Sequence, residues 1–379
     1  MAWRPWPFAP RSEPVLIRGQ AVRSRFRPQR PAALDDGAPA PEGPPAWERV
    51  SRRATGRLRL KVTALRDETP LARSIEYARV DGQPLRWQAG QHLTHCLRLD
   101  GREYRRPYSL CHAPGGAVAV TVKRLDEGKV SGYLTRELAV GDEVEVLPPA
   151  GDFLLPAQAP ARMLLLAGGS GITPVRALLE AALALPQPPE LWLLTVNRSA
   201  QDTIFAADLA ELARRHPRLH WLRHEDERDA VLDAPALAAL LGEVPPDAPA
   251  WLCGPAGLMA MATQVLRERG DAPIFREEFT AAPSPAADSA QLAPQPVVFT
   301  RSGREVRTKT GESLLEAGLR AGVALDYSCT VGGCGHCKVQ LRRGEMQMDE
   351  PHCLSAAEQA QGWRLLCVGR ALGPLELEA

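Results

Sequence analysis

Cysteines are the side chains of this sequence whose spacing points most directly to a chemistry. Cys329, Cys334 and Cys337 follow the pattern C-x4-C-x2-C, and Cys367 comes after a long gap. That spacing suits a two-iron, two-sulfide cluster, in which three thiolates on one short loop wrap the irons and a fourth closes the set from a strand. Gly332, Gly333 and Gly335 lie among them, where a missing Cβ permits tight turns and lets backbone N–H groups approach sulfide. Structural zinc is the competing reading, but zinc sites usually come as two C-x2-C knuckles, and only Cys334 and Cys337 have that spacing here. A thioredoxin-like use of the same pair needs a βαβ context, which this stretch lacks. An iron–sulfur chain moves single electrons, so the rest of the sequence must explain their source.

Four further stretches carry candidate chemistry. Gly168-Gly169-Ser170-Gly171, between an apolar strand and a helix, sets backbone N–H groups and a positive helix end against a diphosphate, with Pro174 in the first helical turn. Thr173 and Pro174 stand where the third glycine of G-x-G-x-x-G belongs, so a plain tight turn is the alternative. Cys253-Gly254-Pro255 ends a strand at the carboxyl edge where open α/β sheets bind ligands; its thiol either packs on a nicotinamide or is simply core. Arg106-Pro107-Tyr108-Ser109 puts Arg106 and Tyr108 on one strand face and Ser109 opposite. An arginine can hold a phosphate, a tyrosine can stack on a flat heterocycle and a hydroxyl can bond a ring nitrogen. Gly128-Lys129-Val130-Ser131 reads as a helix start with Ser131 as N-cap, and equally as a phosphate seat.

These stretches need elements to position them. With 379 residues the chain holds two to three domains. From Leu58 to Leu147, short alternating strands separated by turns such as Asp100-Gly101 and Pro114-Gly115-Gly116 suggest an antiparallel barrel interrupted by one helix, Ser131 to Leu138. From Ala161 the texture becomes strand–helix alternation. Met163 to Ala167 is apolar without a break, as a strand buried on both faces of a parallel sheet should be. The helices expected after it run from Val175 to Leu185, Phe205 to Arg215, Pro235 to Leu241 and Ala256 to Glu268, giving a doubly wound α/β domain. Beyond a Pro/Ala/Ser-rich linker come a hairpin around Ser302-Gly303, a helix from Leu314 with Ser313 and Glu316 as a capping box, and a second box at Ser355 and Glu358.

The formal charge of +1 provides no global field for nucleic acid or an anionic membrane, and no apolar run is long enough for a transmembrane helix. The four remaining cysteines form no disulfide framework and no signal peptide precedes them, which fits a reducing cytoplasm. The first 50 residues are rich in Pro and Arg and read as a disordered or loosely docked arm, able to contact an acidic redox partner or a membrane surface.

Taken in order between Leu58 and Leu377, the R-x-Y-S, G-G-S-G-I-T-P, C-G-P and C-x4-C-x2-C motifs resemble the ferredoxin–NADP reductase superfamily in its three-part form. The likeness is to its phenylacetyl-CoA epoxidase and hybrid cluster protein branches. It implies a disordered arm at 1–50, a flavin-binding antiparallel β-barrel at 51–156, an NAD(P)-binding doubly wound domain at 157–280, a linker at 281–295 and a β-grasp ferredoxin domain at 296–379. It further implies that Arg106 holds the flavin diphosphate, Tyr108 lies on the isoalloxazine and Ser109 faces its N5, with Gly128, Val130 and Ser131 completing the phosphate seat. Gly169, Ser170, Gly171 and Thr173 would carry the dinucleotide, and Cys253 and Gly254 would border the nicotinamide, making Tyr108, Ser109 and Cys253 the residues nearest the chemistry. Phe279, after Glu278, would close over the flavin. Arg198 and Ser199 would face a 2′-phosphate and favour NADPH, although NADH is open. The implied iron ligands are Cys329, Cys334, Cys337 and Cys367.

The activity so implied is hydride transfer from NAD(P)H to FAD, then single electrons through [2Fe–2S] to an oxygenase, desaturase or other redox partner. Two alternatives stand beside it: an FMN-dependent dioxygenase reductase, and a flavin and iron–sulfur redox sensor without sustained turnover.

Overall fold

Residues 56–279, 292–333, 335–349, 352–354 and 356–379 are described in the computed structural model. The arm at 1–50, most of the expected linker, Cys334 and the Ser355 half of the second capping box lie outside the described residues.

Alternation of apolar and polar residues builds the first sheet. β1 (Leu58–Thr69), β2 (Ala72–Arg79), β3 (His92–Leu99), β4 (Arg102–Ser109), β5 (Val118–Lys123) and β6 (Glu143–Val146) pair antiparallel in the order β4-β3-β6-β1-β2-β5. A bridge from Leu110 to Val120 brings the two edges together. Leu60, Ile75, Leu93 and Val120 fill the interior without measurable exposure. Helix α1 (Lys129–Arg136) adds Val130 and Leu134 to the same core. It starts two residues earlier than the sequence led us to expect: Gly128, not Ser131, is the N-cap. The Ser131 hydroxyl instead accepts from Leu125 N–H at 3.1 Å and donates to the Gly128 carbonyl at 3.2 Å, so it ties down the entering turn.

The second sheet is parallel, in the order β11-β10-β7-β8-β9. Its elements are β7 (Arg162–Gly168), α2 (Ile172–Leu183), β8 (Glu190–Asn197), α3 (Ala206–Arg215), β9 (Leu219–Glu225), α4 (Asp226–Asp229), α5 (Ala234–Leu240), β10 (Ala250–Gly254), α6 (Ala256–Arg269) and β11 (Ile274–Glu278). Met163 and Leu165 of β7 join one apolar layer while Leu164 and Leu166 join the layer on the opposite face. That explains the unbroken apolar run; each such side chain contributes about 1.5–3 kcal/mol by leaving water. Helix α2 begins at Ile172, three residues before its expected start, because Gly169–Gly171 already turns as a 3-10 helix. Edge strand β11 was not anticipated, since Ile274–Glu278 reads IFREE and carries little apolar signal.

Barrel and parallel sheet share one core, in which Ala72, Ala119 and Phe153 pack with Leu178 and Leu179. Ion pairs reinforce the junction. Arg66 of β1 and Arg176 of α2 both bind Asp208, at 3.0 and 2.9 Å. Glu180 of α2 lies 3.1 Å from His112 Nδ1 and accepts from Ala113 N–H at 3.0 Å. Burial alone would push the Glu180 carboxyl up, but the hydrogen bond and charge of His112 and the charge of Arg176 hold it below the usual carboxylate range.

The third domain wraps a mixed sheet around a short helix. Its elements are β12 (Pro296–Phe299), β13 (Arg304–Arg307), α7 (Leu314–Arg320), β14 (Lys338–Arg343), β15 (Met346–Met348), α8 (Ala356–Ala360), β16 (Trp363–Leu365), β17 (Gly369–Ala371) and β18 (Leu375–Glu378). The main sheet runs β13-β12-β18-β14-β16, with β15 and β17 pairing separately. Ser313 and Glu316 form the expected capping box on α7, Glu316 N–H donating to Ser313 Oγ at 3.2 Å and Ser313 N–H to Glu316 Oε2 at 3.0 Å.

Candidate functional site

Strand β4 carries the first group of candidates. Arg106 pairs across the ladder with His95 and Tyr108 with Leu93, so these side chains share a face, while Ser109 shares the other with His92. Tyr108 is held from behind: the His95 ring meets it edge-on at 5.3 Å, and His95 Nε2 lies 2.8 Å from the Tyr77 hydroxyl. Burial pushes His95 down to about 4, so it packs as a neutral ring. Arg106 Nη1 donates to the Arg105 carbonyl at 2.7 Å. At α1 no side chain caps the helix start, and a Cβ on Gly128 would stand 2.4 Å from Ser131 Oγ, so the turn is closely packed there. Val130 turns its side chain into the core and can offer a ligand only its backbone.

The nucleotide loop presses on the end of β10. A Cβ on Gly171 would lie 2.1 Å from the Cys253 carbonyl oxygen, and one on Gly168 would lie 3.4 Å from Gly254 Cα. Thr173, only 2% exposed, donates its hydroxyl to the Ser170 carbonyl at 3.0 Å, so it shapes the loop and leaves Gly169 and Ser170 as the accessible part. Cys253 is fully buried and pairs in register with Glu277 of β11. Glu277 Oε2 in turn lies 3.4 Å from Ser109 Oγ, a long contact that nonetheless joins barrel, Cys253 strand and edge strand at one point. Two functional candidates were therefore missed in the sequence. One is Glu277. The other is Lys123 of β5, whose ammonium lies 3.8 Å from where a Gly169 Cβ would be, over the nucleotide loop. Nothing near either in sequence signals the contact; only tertiary packing makes it.

Arg198 and Ser199 are not brought to that junction. They follow β8, where Arg198 is exposed and Ser199 Oγ donates to Asp202 Oδ2 at 3.2 Å. An acid thus shares the turn with the cation expected to read a 2′-phosphate. Phe279 follows β11 and is 42% exposed.

In the third domain Cys329, Cys337 and Cys367 are buried together. Cys337 and Cys367 sulfurs are 3.2 Å apart. Val331 N–H points at Cys329 Sγ at 3.4 Å and Gly332 N–H at Cys367 Sγ at 3.3 Å. Cys367 sits in the bend after β16, not within the strand as expected. Hydrogen bonding with Cys367 holds Cys337 below the usual thiol range, and hydrogen bonds from Cys329 and Cys337 push Cys367 above it. Three buried thiols at this spacing cannot all ionise without positive charge among them, and N–H groups already face the sulfurs, so the set fits a cationic iron cluster. Cys353 lies beside the same loop, its N–H donating to the Gly332 carbonyl at 2.9 Å, but the residue is exposed and its thiol is pushed up to about 11 by burial of the sulfur and the charges of Cys329 and Cys337.

Family models match in the order of the three sheets: an oxidoreductase FAD-binding domain over residues 71–154, an oxidoreductase NAD-binding domain over 165–264 and a 2Fe-2S iron-sulfur cluster binding domain over 297–372. The ferredoxin reductase component of 3-ketosteroid-9-alpha-monooxygenase from Mycobacterium tuberculosis is 34% identical over 342 residues, which is 83% of this chain and 93% of that protein. The chain belongs to the three-part ferredoxin–NADP reductase family. Within that reductase family, one of the subunits of 1,2-phenylacetyl-CoA epoxidase from Escherichia coli is 32% identical over 338 residues, 81% of this chain and 93% of that one. The solved structure of phthalate dioxygenase reductase, a modular structure for electron transfer from pyridine nucleotides to [2Fe–2S], superimposes with a TM-score of 0.66 at 27% identity, over 89% of this chain and 100% of that chain. As a reductase of this family the chain takes FAD, [2Fe–2S] and NAD(P)H, and the zinc and thioredoxin readings fall away.

For this reductase the junction at Glu277 has a measurable signature. Burial pushes the Glu277 carboxyl up to about 8, outweighing the lowering by the Ser109 hydrogen bond. A carboxyl raised in the folded state is protonated there while the unfolded chain has already ionised. Its cost to folding is therefore absent below about pH 4.5, grows between there and about pH 8, and is complete above. Stability of the flavin-free protein should fall across that window by an amount on the order of a few kcal/mol, and Glu277→Gln should flatten the fall. Urea melts at pH 5, 7 and 9 measure it; parallel curves for the two proteins would place the carboxyl in solvent.

Proposed function

We propose that the junction of Ser109, Glu277 and Cys253 is where the nicotinamide meets the flavin, and that the third domain passes the electrons on to an oxygenase or similar acceptor. The chain is an NAD(P)H-dependent flavin and iron–sulfur oxidoreductase. When bound, FAD takes a hydride and releases electrons singly, and [2Fe–2S] carries them one at a time. The observation that carries the assignment is the β3–β4 ribbon. At one end Ser109 touches Glu277 of the nucleotide sheet, and further along Thr94 Oγ1 lies 2.8 Å from Ser328 Oγ, beside the cluster ligand Cys329.

The chain's own residues supply position and charge in this reading. Arg106 and the uncapped start of α1 hold the flavin phosphates, and Tyr108, wedged by His95, sets the plane of the ring. Gly169, Ser170 and Lys123 receive the dinucleotide diphosphate, and the Gly171–Cys253 contact fixes how deep the nicotinamide enters. Glu277, kept neutral by burial, leaves the hydride path without a nearby anion and accepts a hydrogen bond from the Ser109 hydroxyl. Phe279, exposed just after β11, covers the flavin in this reading. The Arg-rich arm at 1–50 suits contact with an acidic acceptor or membrane surface, and buried thiols outside any disulfide at Cys96, Cys111 and Cys253 suit the cytoplasm.

The test is turnover. Purified protein should oxidise NAD(P)H continuously with cytochrome c as one-electron acceptor, and heating should release FAD, not FMN. Oxidation that stops after one equivalent would turn the assignment towards a redox sensor. Donor choice is decided by the pair at Arg198 and Asp202. Arg198→Ala should lower the NADPH-to-NADH efficiency ratio and Asp202→Asn should raise it, each about tenfold, because a charge-assisted bond to a 2′-phosphate is lost in the first and freed from repulsion in the second. Unmoved ratios in both variants would remove this turn from coenzyme selection.

A further inference from the structure

Alternation along β4 gives it two audiences. Arg106 and Tyr108 face one way, while Arg105, Pro107 and Ser109 face the other, opposite Cys96, Thr94 and His92 of β3. The third domain meets this second face through Tyr327 and Ser328, the two residues immediately before Cys329. The Arg105 guanidinium carbon stands 4.2 Å from the centre of the Tyr327 ring, within stacking distance.

We propose that Arg105 is a positioning residue for electron transfer between the domains: stacked on Tyr327, it registers the cluster loop against the flavin strand. The inference rests on the reductase reading above and assigns the register of the docking to this stack, beside the Thr94–Ser328 hydrogen bond. Each partner is fixed by its own domain first. Arg105 is 2% exposed, and its Nε donates to Glu103 Oε1 at 2.8 Å. The other Glu103 oxygen is held by Arg57 Nη2 at 2.8 Å, and Arg57 Nη1 binds Glu145 at 2.7 Å. Tyr327 is 8% exposed and packs within the core of the third domain. Neither side chain has room to swing, so their meeting sets one relative placement.

A pair serving barrel stability alone would not need this burial. Arg105 Nη2 is enclosed without a hydrogen-bond partner among the described residues, a cost that Glu103 does not offset. Buried charges of this kind add little net stability, and their best-attested use is to specify register. Register matters here because Tyr327 is two residues from an iron ligand, and electron transfer weakens steeply with distance. The junction of barrel and parallel sheet, by contrast, has a shared core and several ion pairs, and losing one contact there would move little.

The full-length, FAD- and iron-loaded protein tests this with Arg105→Leu, Tyr327→Leu and the double variant. Iron–sulfur absorbance, flavin content and ferricyanide reduction by NAD(P)H should match the parent. The share of cytochrome c reduction that depends on Cys367 should fall about tenfold or more, as expected for a small misplacement of reacting groups. The double variant should be no slower than the slower single one, Tyr327→Phe should restore the rate, and amide exchange over residues 327–333 should accelerate in the leucine variants. Parental cytochrome c rates in both leucine variants, or unchanged exchange, overturn the inference. Should Arg105→Leu fail to fold, Tyr327→Leu set against Tyr327→Phe decides by the same readings. A parent protein without any Cys367-dependent rate would instead sink the reductase reading on which this stands.

Discussion

Cys367→Ser protein is expected to lose its iron–sulfur absorbance and nearly all cytochrome c reduction while its FAD is still reduced by NAD(P)H. The reason lies in how Cys367 is delivered. It comes from the bend between β16 and β17, a separate piece of chain from the loop that holds Cys329 and Cys337, yet its sulfur contacts Cys337 at 3.2 Å and accepts the Gly332 N–H at 3.3 Å. A serine oxygen is harder, shorter-reaching and far less acidic than a thiol, so it neither fills the distance nor supplies the soft anion that iron of a sulfide cluster prefers. The flavin and nucleotide residues lie on other sheets and should not notice. Cys353→Ser is the matched control, because that thiol is exposed and held protonated, with its pKa near 11. Iron and sulfide assays with visible spectra read both. Retention of the cluster in Cys367→Ser together with its loss in Cys353→Ser would exchange the two assignments.

What the sequence made legible was local. The cysteine spacing, the Ser313–Glu316 box and the apolar run at Met163–Ala167 each report a property contained within a few residues of one element, so reading them needs no tertiary knowledge. The start of α1 was misplaced for a local reason as well. Glu127 adopts a left-handed conformation at φ 58°, which a non-glycine residue rarely signals, and that turn brings the helix in at Gly128. Hidden contacts were of another kind. Ser109 and Glu277 are 168 residues apart, and Glu277 lies on an edge strand whose IFREE sequence advertises neither burial nor chemistry. Arg105 and Tyr327 belong to different domains, so a motif scan reads the arginine beside Arg106 as part of a basic strand. Motifs told which cofactors the chain takes; only packing points to the residues proposed to couple them.

Gly171→Ala should be the most damaging single methyl in the molecule's nucleotide half. Conformation is not the obstacle, since Gly171 has φ −60° and ψ −12°, a shape any residue adopts. Space is. The added Cβ would stand 2.1 Å from the Cys253 carbonyl oxygen, 2.4 Å from its carbon and 2.9 Å from Gly254 N. All three are backbone atoms of β10, which is bonded on one side to β7 and on the other to β11, so the strand cannot step aside without breaking its ladders. The loop must then lift away from the strand end, and this separates the proposed Gly169–Ser170 phosphate seat from Cys253 and Glu277. Overpacking of this kind costs roughly 1–3 kcal/mol in stability, and a displacement near 1 Å between reacting groups can slow chemistry about a hundredfold. Flavin reduction by NAD(P)H, followed anaerobically by the bleaching of FAD, should therefore fall by about that factor with the iron–sulfur spectrum intact. Gly257→Ala, in the first turn of α6 with nothing within 4 Å of its added Cβ, should reduce flavin at the parental rate. Equal rates in the two alanine variants would mean that the loop yields where β10 cannot, and that the depth of the nicotinamide is set elsewhere.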